Sequence, residues 1–189
     1  MLVSTNIDPS PDATTVEAAV PASLDVFLAG IGARAFRFAE TGLRQREDAL
    51  DAVQDAMMKM LAYRERPAAE WTPLFWSILR RRIIDLQRRR NFRLRFWVAT
   101  EDHDEDASID WADEAAGPAD RFEQRQTWAR LSAGLRALPA RQREAFTLRV
   151  LEELDVATTA KAMGCSEGSV KTHLSRARDA LQKYLEDAR

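Results

Sequence analysis

Apolar residues in this chain recur almost entirely at helical spacing. After Pro21, Phe27, Ile31, Ala35 and Phe38 follow one another at intervals of three and four, predicting the buried stripe of a first helix. Thr41-Gly42 is expected to break it. A second helix is expected from about Arg46 to Tyr63, with Leu50, Val53, Met57, Met60 and Leu61 inward, then a loop over residues 64–70. A third, roughly Trp71 to Arg90, would bury Phe75, Leu79, Ile83 and Leu86 at i, i+4, i+8 and i+11. Residues 98–119 show no period and hold Gly117-Pro118, as a linker does. Helices resume near Asp120 with Leu131, Leu135 and Leu138 as a stripe. Leu138-Pro139 ends that helix, because proline disfavours a helical residue before it and suits the first turn of the next. Ala145, Leu148, Val150 and Leu151 are placed on a following helix, and two short helical runs meet at Gly164-Cys165. No alternating strand pattern of useful length occurs. The fold class is therefore all-α.

The last two runs predict a helix-turn-helix. Asp155 and Ser166 each stand where a side-chain oxygen can cap a helix start. Ala160 is small, as two closely crossing helices need, and Gly164 sits where a left-handed turn is easiest. Val170, Leu174, Ala177 and Leu181 form the inward stripe of the last helix. The opposite face carries Gly168, Thr172, Ser175 and Arg176, flanked by Lys171 and Ser169. Short polar residues with an arginine suit a helix in a major groove, where Arg grips a guanine edge and Lys neutralises phosphate. On an arbitrary helix such a face is merely solvated; the helix-turn-helix context favours DNA. His173 and Cys165 are read as packing residues.

Charge changes the picture. The net charge of −2 looks wrong for a nucleic-acid binder, but residues 80–95 carry eight Arg against one Asp, whereas residues 101–120 carry nine acids and no Lys or Arg. Two modules around an acidic connector are implied: a tail at 1–20 expected to be disordered, with Pro9 and Pro11; a first module at 21–97; a linker at 98–119; and a second module at 120–189. One Cys and two His exclude a disulfide framework, a zinc site and a catalytic triad, and no phosphate-cradling Gly loop occurs. The acids of the linker have no rigid frame to hold a metal. No enzyme, catalytic residue, metal or other cofactor is expected. No apolar run approaches the ~18 residues of a membrane span, and no basic residue precedes Arg34, so neither a membrane span nor a secretory signal is expected.

Two surfaces of the first module stand out. On the second helix Asp48, Asp51, Gln54 and Asp55 share a polar side, which reads either as ordinary solvated surface or as a docking face for a basic partner. The third helix bears Arg80-Arg81-Arg82 and Arg88-Arg89-Arg90 and runs on to Arg93 and Arg95. Trp71, Phe75, Trp76, Phe92, Phe96 and Trp97 interleave with them. Arginine density of this kind suits phosphate, and those aromatics not needed by the core could stack on unpaired bases.

The stretch Asp48-Ala-Leu-Asp-Ala-Val-Gln-Asp55, then Ile78-Leu-Arg-Arg-Arg-Ile-Ile-Asp-Leu-Gln-Arg-Arg-Arg90, resembles region 2 of bacterial sigma factors of the extracytoplasmic-function group. Leu138-Pro-Ala-Arg-Gln-Arg-Glu-Ala-Phe146 and the segment Gly164–Arg178 resemble region 4 of that family. The resemblance implies a cytoplasmic initiation factor whose partners are core RNA polymerase, through the β′ clamp helices and the β flap, and promoter DNA. An anti-sigma factor is a further partner it leaves open. By the same resemblance, Asp48, Asp51, Gln54 and Asp55 would bind core polymerase. Arg80, Arg81, Arg88 and Arg89 would bind the −10 element and its melted strand. Lys171, Thr172, Ser175 and Arg176 would read the −35 element, and the acidic linker would thread through the polymerase. Arg80-Arg81 stands where the family often has Arg-Asn, which bears on −10 base preference. A stand-alone helix-turn-helix regulator is the alternative. It accounts for residues 121–187 and gives no reason for the Asp51/Gln54/Asp55 face.

Overall fold

The computed structural model describes residues 21–43, 45–96 and 118–187, so the expected tail and nearly all of the expected linker lie outside the described residues. Within them the chain is helical throughout and contains no strand, in agreement with the expected class.

Helix α1 (Leu24–Gly42) starts at Ser23, whose Oγ accepts the Val26 N–H at 3.3 Å. It buries Phe27, Ile31, Ala35 and Phe38 as the spacing demanded. It ends at Thr41-Gly42 as expected, with Leu43 already extended. The Thr41 hydroxyl donates to the Phe38 carbonyl at 2.8 Å, and the Gln87 side chain donates to the Gly42 carbonyl at 2.7 Å, closing the helix end. Gly42 is needed for closeness, since a Cβ there would lie 2.9 Å from Ile83 Cγ2 on the third helix.

Helix α2 (Arg46–Leu61) turns Val53 and Met60 inward as expected, with Met57 partly buried, but not Leu50 or Leu61. It buries Ala49, Ala52, Val53, Ala56 and Met60, whereas Leu50 and Leu61 are 45% and 49% exposed. The physical reason is close approach. Alanines at i, i+3 and i+7 let α2 lie tightly against its neighbours, and that fit outweighs burying the largest side chains. Helix α3 (Ala68–Phe96) begins earlier and extends further than Trp71 to Arg90. Phe75, Trp76 and Leu79 are fully buried on it, with Ile83 nearly so. Trp76 meets the rings of Phe38 and Phe75 edge-on at 5.2 and 5.5 Å. Trp71, Phe75 and Trp76 therefore belong to the core and are lost to base stacking.

The second module comprises α4 (Pro118–Ala137), α5 (Ala140–Phe146), a wider π-helical turn over Thr147–Leu151, α6 (Val156–Met163) and α7 (Glu167–Asp187). The expected helix around Leu148 is thus split, and Val150 on the π turn is 37% exposed. Leu135 and Leu138 pack with Ala177 and Leu181 in a small core of their own. A larger core joins the two modules: Ala145, Leu148, Ala160, Met163 and Val170 are continuous with the buried face of α1–α3, and α6 lies along α3.

The start of α6 supplies a test of these local rules. Asp155 Oδ1 accepts the Thr158 N–H at 2.8 Å and Oδ2 accepts the Thr158 hydroxyl at 2.7 Å. The backbone hydrogen bond, then the hydroxyl, hold the Asp155 carboxyl below its usual pKa. Its contribution is therefore present above the ordinary aspartate range and lost as pH falls through the lower native value. Asp155→Ala is expected to cost about 1 kcal/mol at neutral pH. Asp155→Asn keeps an acceptor but cannot titrate, so its melting-temperature gap from wild type should close as pH falls from about 6 to about 3. A gap that stays constant with pH would remove the charged cap.

Candidate nucleic-acid interface

The helix-turn-helix is built as its sequence demanded. After the Asp155 cap, α6 ends at Gly164, which adopts φ 62° and ψ 48°, the left-handed conformation that costs glycine least. The Cys165 N–H closes the turn on the Ala160 carbonyl at 3.1 Å. Arg141 of α5 reaches the same helix end and donates to the Met163 carbonyl at 2.8 Å. Ser166 Oγ accepts the Ser169 N–H at 3.2 Å, capping α7. Val170, Ala177 and Leu181 are buried and Leu174 packs partly against them. This leaves Gly168, Lys171, Thr172, Ser175 and Arg176 exposed on the far side. Arg178, three residues on from Ser175, extends this exposed face and was not picked out from the sequence, although its i+7 spacing from Lys171 marks it. The Thr172 hydroxyl donates to the Gly168 carbonyl at 3.0 Å, so toward a ligand it offers lone pairs. His173 and Cys165 are half-buried, consistent with packing.

On the first module the two surfaces are sorted more finely than the sequence suggested. Asp51 and Gln54 are exposed, Asp48 and Asp55 half-buried. Asp55 Oδ2 lies 2.6 Å from Arg82 Nε, a charge contact too far out of line to be a hydrogen bond, so this acid is already engaged by α3. Beside Asp51 and Gln54 stand Leu50, Met58 and Leu61, all exposed, so the outer face of α2 is apolar along one edge and acidic along the other. The sequence misled here because large aliphatics were assigned inward. On α3, Arg81, Asp85, Arg88 and Phe92 recur at i, i+4, i+7 and i+11 and are exposed together, with Arg89 beside them. Phe96 and Trp97 are not among the side chains described.

Arg80 departs from expectation. It faces the second module, where its Nε donates to Glu144 Oε2 at 2.8 Å, and the two side chains retain only 13% and 11% of their exposure. Its guanidinium is therefore not presented to DNA in this arrangement. Arg141 approaches the same carboxylate at 3.6 Å. A second pair repeats the pattern: Arg34 Nε donates to Glu152 Oε2 at 2.6 Å and its Nη2 to the Glu152 carbonyl at 3.1 Å. Burial pushes the Glu152 pKa up, against the pull of Arg34 and Arg37. Burial likewise lowers the pKa of Arg143, with Glu144 opposing it. A cavity of about 10 Å³, room for roughly one water, lies between Arg80, Gln87, Arg143 and Glu144. The sequence reading missed both glutamates. The signal was there, in two acids at i and i+8 flanking buried Leu148 on one helix face.

No group of three or more His, Cys, Asp and Glu that could hold a metal ion occurs among the described residues, and no helix there is long and apolar enough to cross a membrane. Residues 129–181, spanning the helix-turn-helix, match the family described as Sigma-70, region 4. Among solved structures, the fold is similar to CnrH in complex with the cytosolic domain of CnrY, at a TM-score of 0.60 and 18% identity over 87% of this chain and 88% of that one. It is similar also to the sigma factor RpoE in complex with the anti-sigma factor NepR from Bartonella quintana, at 0.60 and 26% identity over 88% and 96%. The ECF RNA polymerase sigma factor SigM of Mycobacterium tuberculosis, strains H37Rv and Erdman, is 30% identical over 151 residues, 79% of this chain and 70% of that protein. A relative of that identity aligned across both modules, with a region 4 match on the helix-turn-helix itself, makes this chain a member of the ECF sigma factors of the sigma-70 family, non-enzymatic factors that direct transcription initiation.

Proposed function

We propose that residues 21–97 act as the module that docks on core polymerase and holds the −10 element, and residues 120–189 as the module that reads the −35 element. Residues 98–119 would connect them through the polymerase. The observation that carries this reading is the outer face of α2. Exposed Leu50, Met58 and Leu61 beside Asp51 and Gln54 have no role in the chain's own core, and a mixed apolar and acidic face suits a partner helix that is itself amphipathic and basic. The β′ clamp helices are that partner in the proposal, with the β flap receiving the second module. A stand-alone DNA-binding regulator would have no use for this face. The exposed Arg81, Arg88 and Arg89 alongside Phe92 support contact with the −10 element, the arginines on phosphates and the ring toward an unpaired base. Arg80 would join them only after parting from Glu144. CnrH and RpoE were each solved with a protein partner, CnrY and the anti-sigma factor NepR. A sequestering partner of that kind belongs to the reading for this chain, as does action in the cytoplasm, where core polymerase is found.

Asp51→Ala with Gln54→Ala should leave helical content and melting nearly unchanged, within ~0.5 kcal/mol, since both positions are exposed. Co-purification with core polymerase should fall sharply, and adding Leu50→Ser should abolish it. Undiminished co-purification would remove α2 as the docking face.

Neutralising Arg88 and Arg89 should weaken promoter binding on every sequence and reduce the salt dependence by about one unit of slope for each phosphate no longer neutralised. An unchanged slope with altered base preference would make them base readers.

Arg176 lies on the outward face of α7, four residues from Thr172 and away from the Val170/Ala177 stripe, so it carries no packing. A single bidentate grip on guanine typically supplies ~1–3 kcal/mol of discrimination. Arg176→Ala should therefore relax preference at one position of a promoter library randomised across the −35 element, with polymerase binding intact. A uniform fall across all sequences would make it a phosphate contact.

A further inference from the structure

We infer that Asp85 is a base reader: its carboxylate accepts hydrogen bonds from the Watson–Crick edge of an unpaired guanine in the melted −10 strand. The inference rests on the assignment of α3 to the −10 element proposed above and deepens it, from phosphate contact to the choice of a base.

The placement of Asp85 carries the first step. It is an exposed acid on a helix face otherwise rich in cations: Arg81 stands four residues before it, Arg88 and Arg89 three and four residues after it, and all are exposed. Residues three and four apart on a helix are side-chain neighbours, so each of these arginines is at pairing distance in sequence. Asp85 nevertheless takes part in no ion pair among the described residues. Arg82, its remaining neighbour at that spacing, is turned to Asp55. Nor does Asp85 serve the fold. It lies well inside α3, away from either helix end, and the buried stripe runs through Phe75, Leu79 and Ile83 on another side. Its carboxylate is left open toward whatever the arginines bind.

Chemistry carries the second step. A strip that only gripped phosphate would bind better with a neutral or basic residue at this position, because a carboxylate repels the phosphodiester. An ionised carboxylate brings acceptors and no donor. Along a DNA strand the hydrogen-bond donors stand on the bases alone, since the phosphodiester and the deoxyribose within the chain have none. Among unpaired bases guanine sets two donors side by side, N1–H and N2–H, spaced to meet the two oxygens of one carboxylate. Adenine and cytosine place an acceptor nitrogen beside their amine, which repels the second oxygen, and thymine flanks its N3–H with two carbonyls. In the duplex guanine N1 and N2 are taken by cytosine, so this contact forms only on a melted base. Arg81, one turn earlier on the same face, supplies the donors that O6 and N7 of such a ring accept. The acid and the arginine together match guanine and mismatch the other three bases.

The test is transcription by holoenzyme, assembled from core polymerase and the full chain, on a promoter library randomised across the −10 element. Wild type should favour guanine at one position of the non-template strand. Asp85→Asn should lower that preference on the order of tenfold, because an amide offers one acceptor and turns a donor on the second N–H of guanine. Preferences at the other positions and the melting of the free chain should stay as in wild type, since the side chain is exposed. Deoxyinosine, which is guanine without its N2 amine, placed at that position should weaken transcription by wild type and make no difference to Asp85→Asn. No guanine preference in wild type, a preference that survives Asp85→Asn, or wild type indifferent to deoxyinosine would each overturn the proposal. So would a variant that gains activity uniformly on every sequence, which would make Asp85 only a charge that repels phosphate. Failure of the −10 assignment reads out separately. Neutralising Arg88 and Arg89 would then leave transcription across the library unchanged, whereas if Asp85 alone is misread that change still depresses it on every sequence.

Discussion

The architecture depends on two carboxylates being accepted into an otherwise apolar interface. Glu144 and Glu152 flank Leu148 on one face of the α5–π segment, and each finds an arginine on the first module, Arg80 and Arg34. Leu148 alone would supply burial without direction, since apolar contact tolerates sliding. An unpaired buried carboxylate costs several kcal/mol, so any slippage between the modules that breaks a pair is strongly disfavoured. The ion pairs therefore fix the register, while the shared core of α1, α3, α5, α6 and α7 supplies most of the favourable energy.

Much of this was legible in the sequence, and what was missed has a common cause. The stripes on α1 and α3, the Asp155 and Ser166 caps, the left-handed Gly164 and the inward face of α7 follow from local rules. Each depends on residues within one or two turns. On α2, Val53 and Met60 lie inward as their spacing predicts, but Leu50 and Leu61 do not, because close approach outweighs side-chain size there. Ala49, Ala52 and Ala56 set how near the neighbouring helices come, and Leu50 and Leu61 are left outside. The pairing of Arg80 with Glu144 spans 64 residues and that of Arg34 with Glu152 spans 118, so no local pattern could announce them. Of the candidate site residues, those on α7 were placed correctly on an exposed face. Arg80 shares the arginine-rich stretch of α3 with exposed neighbours but is itself turned to Glu144, and Asp55 shares a polar side with Asp51 but is already held by Arg82.

The alanines of α2 also explain how it comes to present large apolar side chains outward. Its inner face is filled by Ala49, Ala52 and Ala56 with Val53 and Met60, so the outer face is relieved of any duty to the core. Large apolar and acidic side chains can then sit together outside at little cost to folding, since an exposed leucine neither gains nor loses much on its own. The Asp55–Arg82 contact ties the edge of this face to α3.

A last coupling lies in the turn between the modules' contact and the DNA-reading helices. The Glu152 N–H bonds back to the Thr147 carbonyl at 2.9 Å and the Leu154 N–H to the Leu148 carbonyl at 3.0 Å, which widens the helix and displaces Glu153 to a positive φ. Non-glycine residues in that conformation cost of order 1–3 kcal/mol and persist where their surroundings hold them. Here the holding groups are on both sides: Arg34 grips Glu152 by side chain and carbonyl, and three residues on Asp155 caps α6. The segment that docks the second module on the first thus also sets where the helix-turn-helix begins. Glu152, held by the first module, and Asp155, the cap of α6, are therefore only three residues apart.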